Sequence, residues 1–66
     1  MDVTCEVVGG ERHELELDPG ATYADLIRAV GLSPQEASAL VDGRPVPEDR
    51  EVDATEVRVL RLIQGG

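Results

Sequence analysis

The chain has 66 residues, with 14 acidic against 6 basic side chains and a formal charge of −8. That length allows one domain, near the size where a single core buries only about 60% of the unfolded surface. A self-contained enzyme is disfavoured, because so small a domain cannot easily wall off a pocket of roughly 300 Å³ or more. The negative charge repels nucleic-acid phosphates and anionic membranes alike, and no apolar run approaches the ~20 residues of a membrane span. Apolar residues make up 41%, too many for a disordered acidic tail. There is no Phe or Trp and only one Tyr, Tyr23, so Val, Leu, Ile and Ala must build the core.

All six basic residues are arginines, and lysine is absent. Abundant acid with Arg in place of Lys points to a salt-rich cytoplasm. At 1 M salt the Debye length is ~3 Å, which screens the self-repulsion of such a chain. A GC-rich codon bias or an engineered lysine-free variant would give the same composition. The lone Cys5 allows no internal disulfide and belongs to no cluster at metal-ligand spacing. The start Met1-Asp2-Val3 has neither the basic region nor the apolar core of a signal peptide. A cytoplasmic location is expected.

Residues 2–8 alternate polar and apolar, with Val3, Cys5 and Val7 on one face. Gly9-Gly10 is a turn signal, and 12–18 alternate again with His13, Leu15 and Leu17 on one side, so 2–18 read as a β-hairpin. Asp18-Pro19-Gly20 ends it. Thr22 with Asp25 is a capping-box pattern, and Tyr23, Leu26, Ile27 and Val30 recur at helical spacing. A short helix over 23–30 follows, with Gly31 at its left-handed cap and Leu32 making the accompanying apolar contact. Ser33-Pro34 with Glu36 starts a further element with room for a single turn. Residues 38–42 read as a strand, Asp42-Gly43 as a hairpin turn, and Arg44-Pro45-Val46 as a brief edge strand. Residues 47–55 are acidic and loop-like, and 56–63 form the last strand.

The order strand, strand, helix, strand, strand, strand predicts an α+β domain over 1–63. A mixed four- to five-stranded sheet carries one helix across one face, followed by a flexible tail at 64–66. The expected core is Val3, Cys5, Val7, Leu15, Leu17, Leu26, Ile27, Val30, Ala39, Val41, Val57 and Val59. By alternation Leu40, Leu60 and Leu62 then point away from the helix as an exposed apolar patch beside the tail, with Arg58 and Arg61 placed to steer an acidic partner surface. Lone surface leucines are common, and such arginines often only pair with nearby acids. Cys5 sits mid-strand on the core face without a basic neighbour and reads as a small buried hydrophobe, not a nucleophile. His13 has no ligand partner at suitable spacing. The acids at 48, 49, 51, 53 and 56 read as a solvated face.

The ending Gln64-Gly65-Gly66 directly follows the last strand. Without Cβ atoms, two glycines can thread a narrow slot and present an unhindered carboxylate. A frayed terminus is the bland alternative. The hairpin, the helix, the segment 40–47 (LVDGRPVP) and the ending 59–66 (VLRLIQGG) together resemble the β-grasp, ubiquitin-like proteins. The closest likeness is to the small archaeal modifier proteins and to the short sulfur carriers of thiamine and molybdopterin synthesis. The resemblance covers the whole chain and implies a specific role for Gly66, with Gly65 as its slender approach. The Gly66 carboxylate would be adenylated by an E1-like enzyme using ATP and zinc. It would then be joined to a target lysine or converted to a thiocarboxylate, for example for tRNA thiolation. The carrier itself would bind no cofactor, need no catalytic side chain, and act as a monomer docked through Leu40, Leu60, Leu62, Arg58 and Arg61. A carrier dedicated to thiamine or molybdopterin synthesis and a non-covalent β-grasp binding module are the competing readings. Without lysine the chain offers only its N-terminal amine as an acceptor for its own kind.

Overall fold

The computed structural model describes residues 1–62. Five strands form one sheet in the order β2-β1-β5-β3-β4. Their bounds are β1 Asp2–Val7, β2 Arg12–Glu16, β3 Ala37–Val41, β4 Arg44–Pro45 and β5 Glu56–Arg61, with one helix, α1, over Tyr23–Ala29. β1 runs parallel to β5 with Cys5 opposite Val57 and Val7 opposite Val59, and every other pairing is antiparallel. β5, last in the chain, is therefore central in the sheet, and it carries the residues that lead to the C-terminus. The mixed five-stranded sheet with a single helix is the α+β architecture that the order of elements predicts and the β-grasp that the resemblance implies.

The helix starts and stops where its side chains specify. Thr22 Oγ1 accepts from the Asp25 N–H at 3.3 Å, and Asp25 Oδ2 accepts from the Thr22 N–H at 3.0 Å, closing the capping box. These bonds from the Thr22 backbone and hydroxyl, with Arg28 nearby, hold the Asp25 carboxyl below its ordinary value of 3.8. At the other end Gly31 has φ +85°, its N–H donates to Arg28 O at 3.0 Å, and the Leu32 N–H donates to Ile27 O at 3.1 Å. That pair of bonds is a Schellman motif; it makes Val30 the cap and ends the helix at Ala29, one residue before the predicted end.

Thr22→Ala is expected to lower stability by about 1 kcal/mol near neutral pH. Asp25 is depressed in the folded state, so its contribution is complete above the unfolded pKa and lost as pH falls through the folded one. The difference between wild type and variant in urea titrations should therefore shrink as pH falls below about 4. A difference that widens in acid would contradict the capping role.

The core lies between α1 and one sheet face: Val3, Cys5, Val7, Leu17, Tyr23, Leu26, Ile27, Ala37, Ala39, Val52, Val57 and Val59 are buried. Leu15, Val30 and Val41, predicted as core, are only partly buried and pack against its rim. Leu15 lies on β2, the outer strand of the sheet; Val30 is the helix cap; Val41 is the last residue of β3. Tyr23, Ala37 and Val52 take their places. β3 begins at Ala37, one residue before the predicted start, because the Leu62 N–H donates to Glu36 O at 2.8 Å and the ladder with β5 opens there. The acidic stretch 47–55 is a loop, yet it is fastened to the start of α1. Tyr23 N–H donates to Arg50 O at 3.0 Å, Ala24 N–H to Glu48 O at 2.8 Å, and Val52 N–H to Ala21 O at 2.8 Å. The buried ring of Tyr23 reaches the same loop, its hydroxyl 3.3 Å from Asp53 Oδ1.

Candidate functional site: the open sheet face and the end of β5

Alternation along β5 buries Val57 and Val59 and exposes Glu56, Arg58 and Leu60. The sheet face away from α1 is thus open, and it is mostly polar towards β1 and β2. There Arg58 stands opposite Glu6 in the parallel ladder, with Nε 3.3 Å from a Glu6 carboxylate oxygen. Both side chains are more than half exposed, so the pair contributes at most about 1 kcal/mol. Thr4, Glu6, Arg12, Leu40, Asp42 and Arg58 line a shallow depression on this face.

Towards the C-terminal end of β5 the face becomes apolar. Leu60 lies opposite Ser38, and Leu40 lies opposite Arg58, so the two leucines are diagonal neighbours across β3 and β5. That separation, roughly 7–8 Å between Cα atoms, is within reach of long side chains. Leu40 is half-buried, while Leu60 and Leu62 keep 38% and 51% of their surface. Leu62 follows Leu60 by two residues, one step past the strand, and its bond to Glu36 O fixes the chain direction there. The structure therefore brings Leu40, Leu60 and Arg58 together on one face and sets Leu62 at its edge. Arg61, opposite Ala37, falls on the alternate side of β5 from Leu60 and is exposed. Gly65 and Gly66 lie outside the described residues.

One apolar residue at this end escapes a reading of periodicity alone. Val8 is 45% exposed, and its N–H donates to Val59 O at 2.9 Å, which sets it beside Leu60. Only the parallel pairing of β1 with β5 reveals this. In the sequence Val8 merely ends a strand before Gly9.

The other reactive groups are accounted for structurally. Cys5 is fully buried, and loss of solvent pushes its thiol up to about 11, far from a reactive thiolate. His13 on β2 is half-buried, with Nε2 3.9 Å from a Glu11 carboxylate oxygen. Among the described residues no three His, Cys, Asp or Glu side chains are placed to hold a metal ion. No helix there is long and apolar enough to cross a membrane.

The described residues place an exposed leucine patch at the end of the central strand β5. Residues 1–63 match the family described as Small archaeal modifier protein 2. The chain belongs to the small archaeal modifier protein 2 family. It is 62% identical to Small archaeal modifier protein 2 of Haloferax volcanii over 66 residues, the whole of both chains. The crystal structure of that H. volcanii protein superposes with a TM-score of 0.77 at 61% identity, covering 97% of each chain. Caldiarchaeum subterraneum ubiquitin matches with a TM-score of 0.79 over all of this chain and 98% of its own, and at 22% identity that likeness speaks for the fold alone. As a small archaeal modifier protein, the chain is a ubiquitin-like protein modifier and not an enzyme. Its acid-rich, lysine-free composition accords with a relative from Haloferax.

Proposed function

We propose that the Gly66 carboxylate is the group through which this modifier acts, and that the Leu40–Leu60–Leu62 end of the sheet face seats the enzyme that activates it. A carboxylate is a poor electrophile until converted to a mixed anhydride. An E1-like enzyme, with its own ATP and zinc, would let a Gly66 oxygen attack the α-phosphate of ATP and release pyrophosphate. A target lysine amine would then attack the acyl carbon. The C–N bond forms, the C–O bond to AMP breaks, and the amine gives up a proton. Attack by hydrosulfide instead forms a C–S bond, breaks the same C–O bond to AMP and, with loss of a proton, leaves a thiocarboxylate, which would supply sulfur to a partner such as a tRNA-thiolation enzyme. Neither route asks this chain for a catalytic side chain. It supplies a terminus slender enough at Gly65 to enter a partner's active site, and a surface that aligns it.

The observation that carries this reading is the exposed leucine patch at the end of β5, two residues ahead of the Gly-Gly ending in the sequence, in a member of a modifier family. Arg58 borders it on the open face and would favour approach of an acidic partner surface, whereas Arg61 lies on the other side of β5. The test is a tagged chain lacking Gly66, expressed in the native host beside the full chain. The full chain should be recovered as covalent adducts with host proteins, and the shortened chain only as free protein. Equal adduct levels from both would remove Gly66 from the reaction.

A further inference from the structure

Polymers of a modifier need an acceptor amine on the modifier itself, and this chain holds almost none. Its sequence contains no lysine. All six arginines, at 12, 28, 44, 50, 58 and 61, are exposed, but a guanidinium remains protonated at any physiological pH and presents no lone pair to an acyl carbon. Cys5, the one thiol, is fully buried with its pKa raised, so it neither meets an acyl donor nor ionises to attack one. The remaining amine is that of Met1. It donates to Leu17 O at 3.0 Å while the Leu17 N–H returns a bond to Met1 O at 2.8 Å. The Met1 amine is thus the first rung of the β1–β2 ladder, and attack through it would require a proton to leave and the rung to open.

We propose that this chain is an end unit: each target amine receives a single copy, and a copy added to an existing modifier chain closes it. The inference rests on the proposed role of Gly66. Every bond it involves is the one described above, in which a target amine displaces AMP from the Gly66 acyl group. What it adds is direction: this chain serves as acyl donor and not as acyl acceptor. The exposed arginines keep the surface cationic at six points without making any of them a site of extension.

The absence of lysine also makes the idea measurable. Lysyl endopeptidase cuts target proteins but cannot cut this chain, so it leaves the whole 7.1 kDa modifier on each modified lysine. Full chain carrying a lysine-free tag, recovered under denaturing conditions from its host, should give target peptides carrying one increment, that of the 7.1 kDa modifier plus its tag. No acyl group should map to a residue of this chain. A parallel strain would carry Arg28→Lys with Arg44→Lys, both exposed and outside the leucine patch; its adducts, sized without digestion beside those of the unaltered chain, should show multiple increments linked through position 28 or 44. Adducts of the unaltered chain bearing a second modifier on any of its residues, Met1 included, would overturn the proposal. So would single increments in both strains, since the missing amine would then not be what limits extension. If the full chain forms no adducts at all, the role of Gly66 fails first, and that result is distinct from either of these.

Discussion

Leu60→Asp should leave the domain folded and cut its conjugation by ten- to thirty-fold, equivalent to about 1.4–2 kcal/mol of lost docking energy. Leu60 keeps 38% of its surface, and its neighbours on the open face are Ser38 across the ladder, Leu40 on the diagonal and Val8 alongside. An aspartate there remains solvated in the free protein, so the melting temperature should change little. Seated against an apolar partner surface, the carboxylate would have to shed its water, and this is where the loss arises. Glu16→Gln, on the same face at the outer strand β2, is the control and should conjugate normally. Unfolding of Leu60→Asp would mean that Leu60 is a core residue and that β5 is shifted by one. Undiminished conjugation would assign docking to another surface.

Leu26→Ala should act in the opposite sense, through the fold. Leu26 is fully buried in the middle of α1 and belongs to the same core cluster as Tyr23, Ile27 and the valines of β1 and β5. Removing a buried leucine side chain costs about 2–5 kcal/mol. A domain of this size has about 3–10 kcal/mol in total, and the seven-residue helix has too few turns to persist without its packing. Thermal unfolding followed by circular dichroism at fixed salt should move down by on the order of 15 °C or more. Conjugation should fall in proportion to the unfolded fraction, and should recover on cooling. A loss below about 1 kcal/mol would show that the helix contributes little to the core.

Elements with strong local signals were legible in the sequence. The capping box at Thr22 and Asp25, the glycine cap at Gly31 and the alternation through 2–7 and 56–61 each encode their element in neighbouring residues, and each is present in the structure. Signals that depend on distant partners were not legible. Val52 stands alone among Glu51, Asp53 and the other acids of its loop, so no periodicity marks it. It is buried because its N–H meets Ala21 O and carries the loop under the helix start. Ala37 looks like a turn residue until the ladder with Arg61 includes it in β3. Tyr23 is visible as a helical apolar position, but its burial depends on the same loop, through Asp53. For the site, alternation was enough to put Leu40, Leu60 and Leu62 away from the helix, while the β3–β5 register sets Leu40 on the diagonal from Leu60 and leaves it half-buried instead of exposed. Val8 joined them only through the parallel pairing of β1 and β5.

The central claim is that Gly66 becomes covalently bound to target amines. Trypsin cuts after Arg61, so a conjugated lysine should retain the remnant LIQGG, residues 62–66, on its side chain. Mass spectrometry of tryptic peptides from adducts isolated in the native host reads that remnant directly. Lysines carrying LIQGG through an amide to Gly66, absent from cells that lack this chain, are the result expected. Adducts joined through any other residue of the chain, or a C-terminal peptide recovered only with a free Gly66 carboxylate, would contradict it.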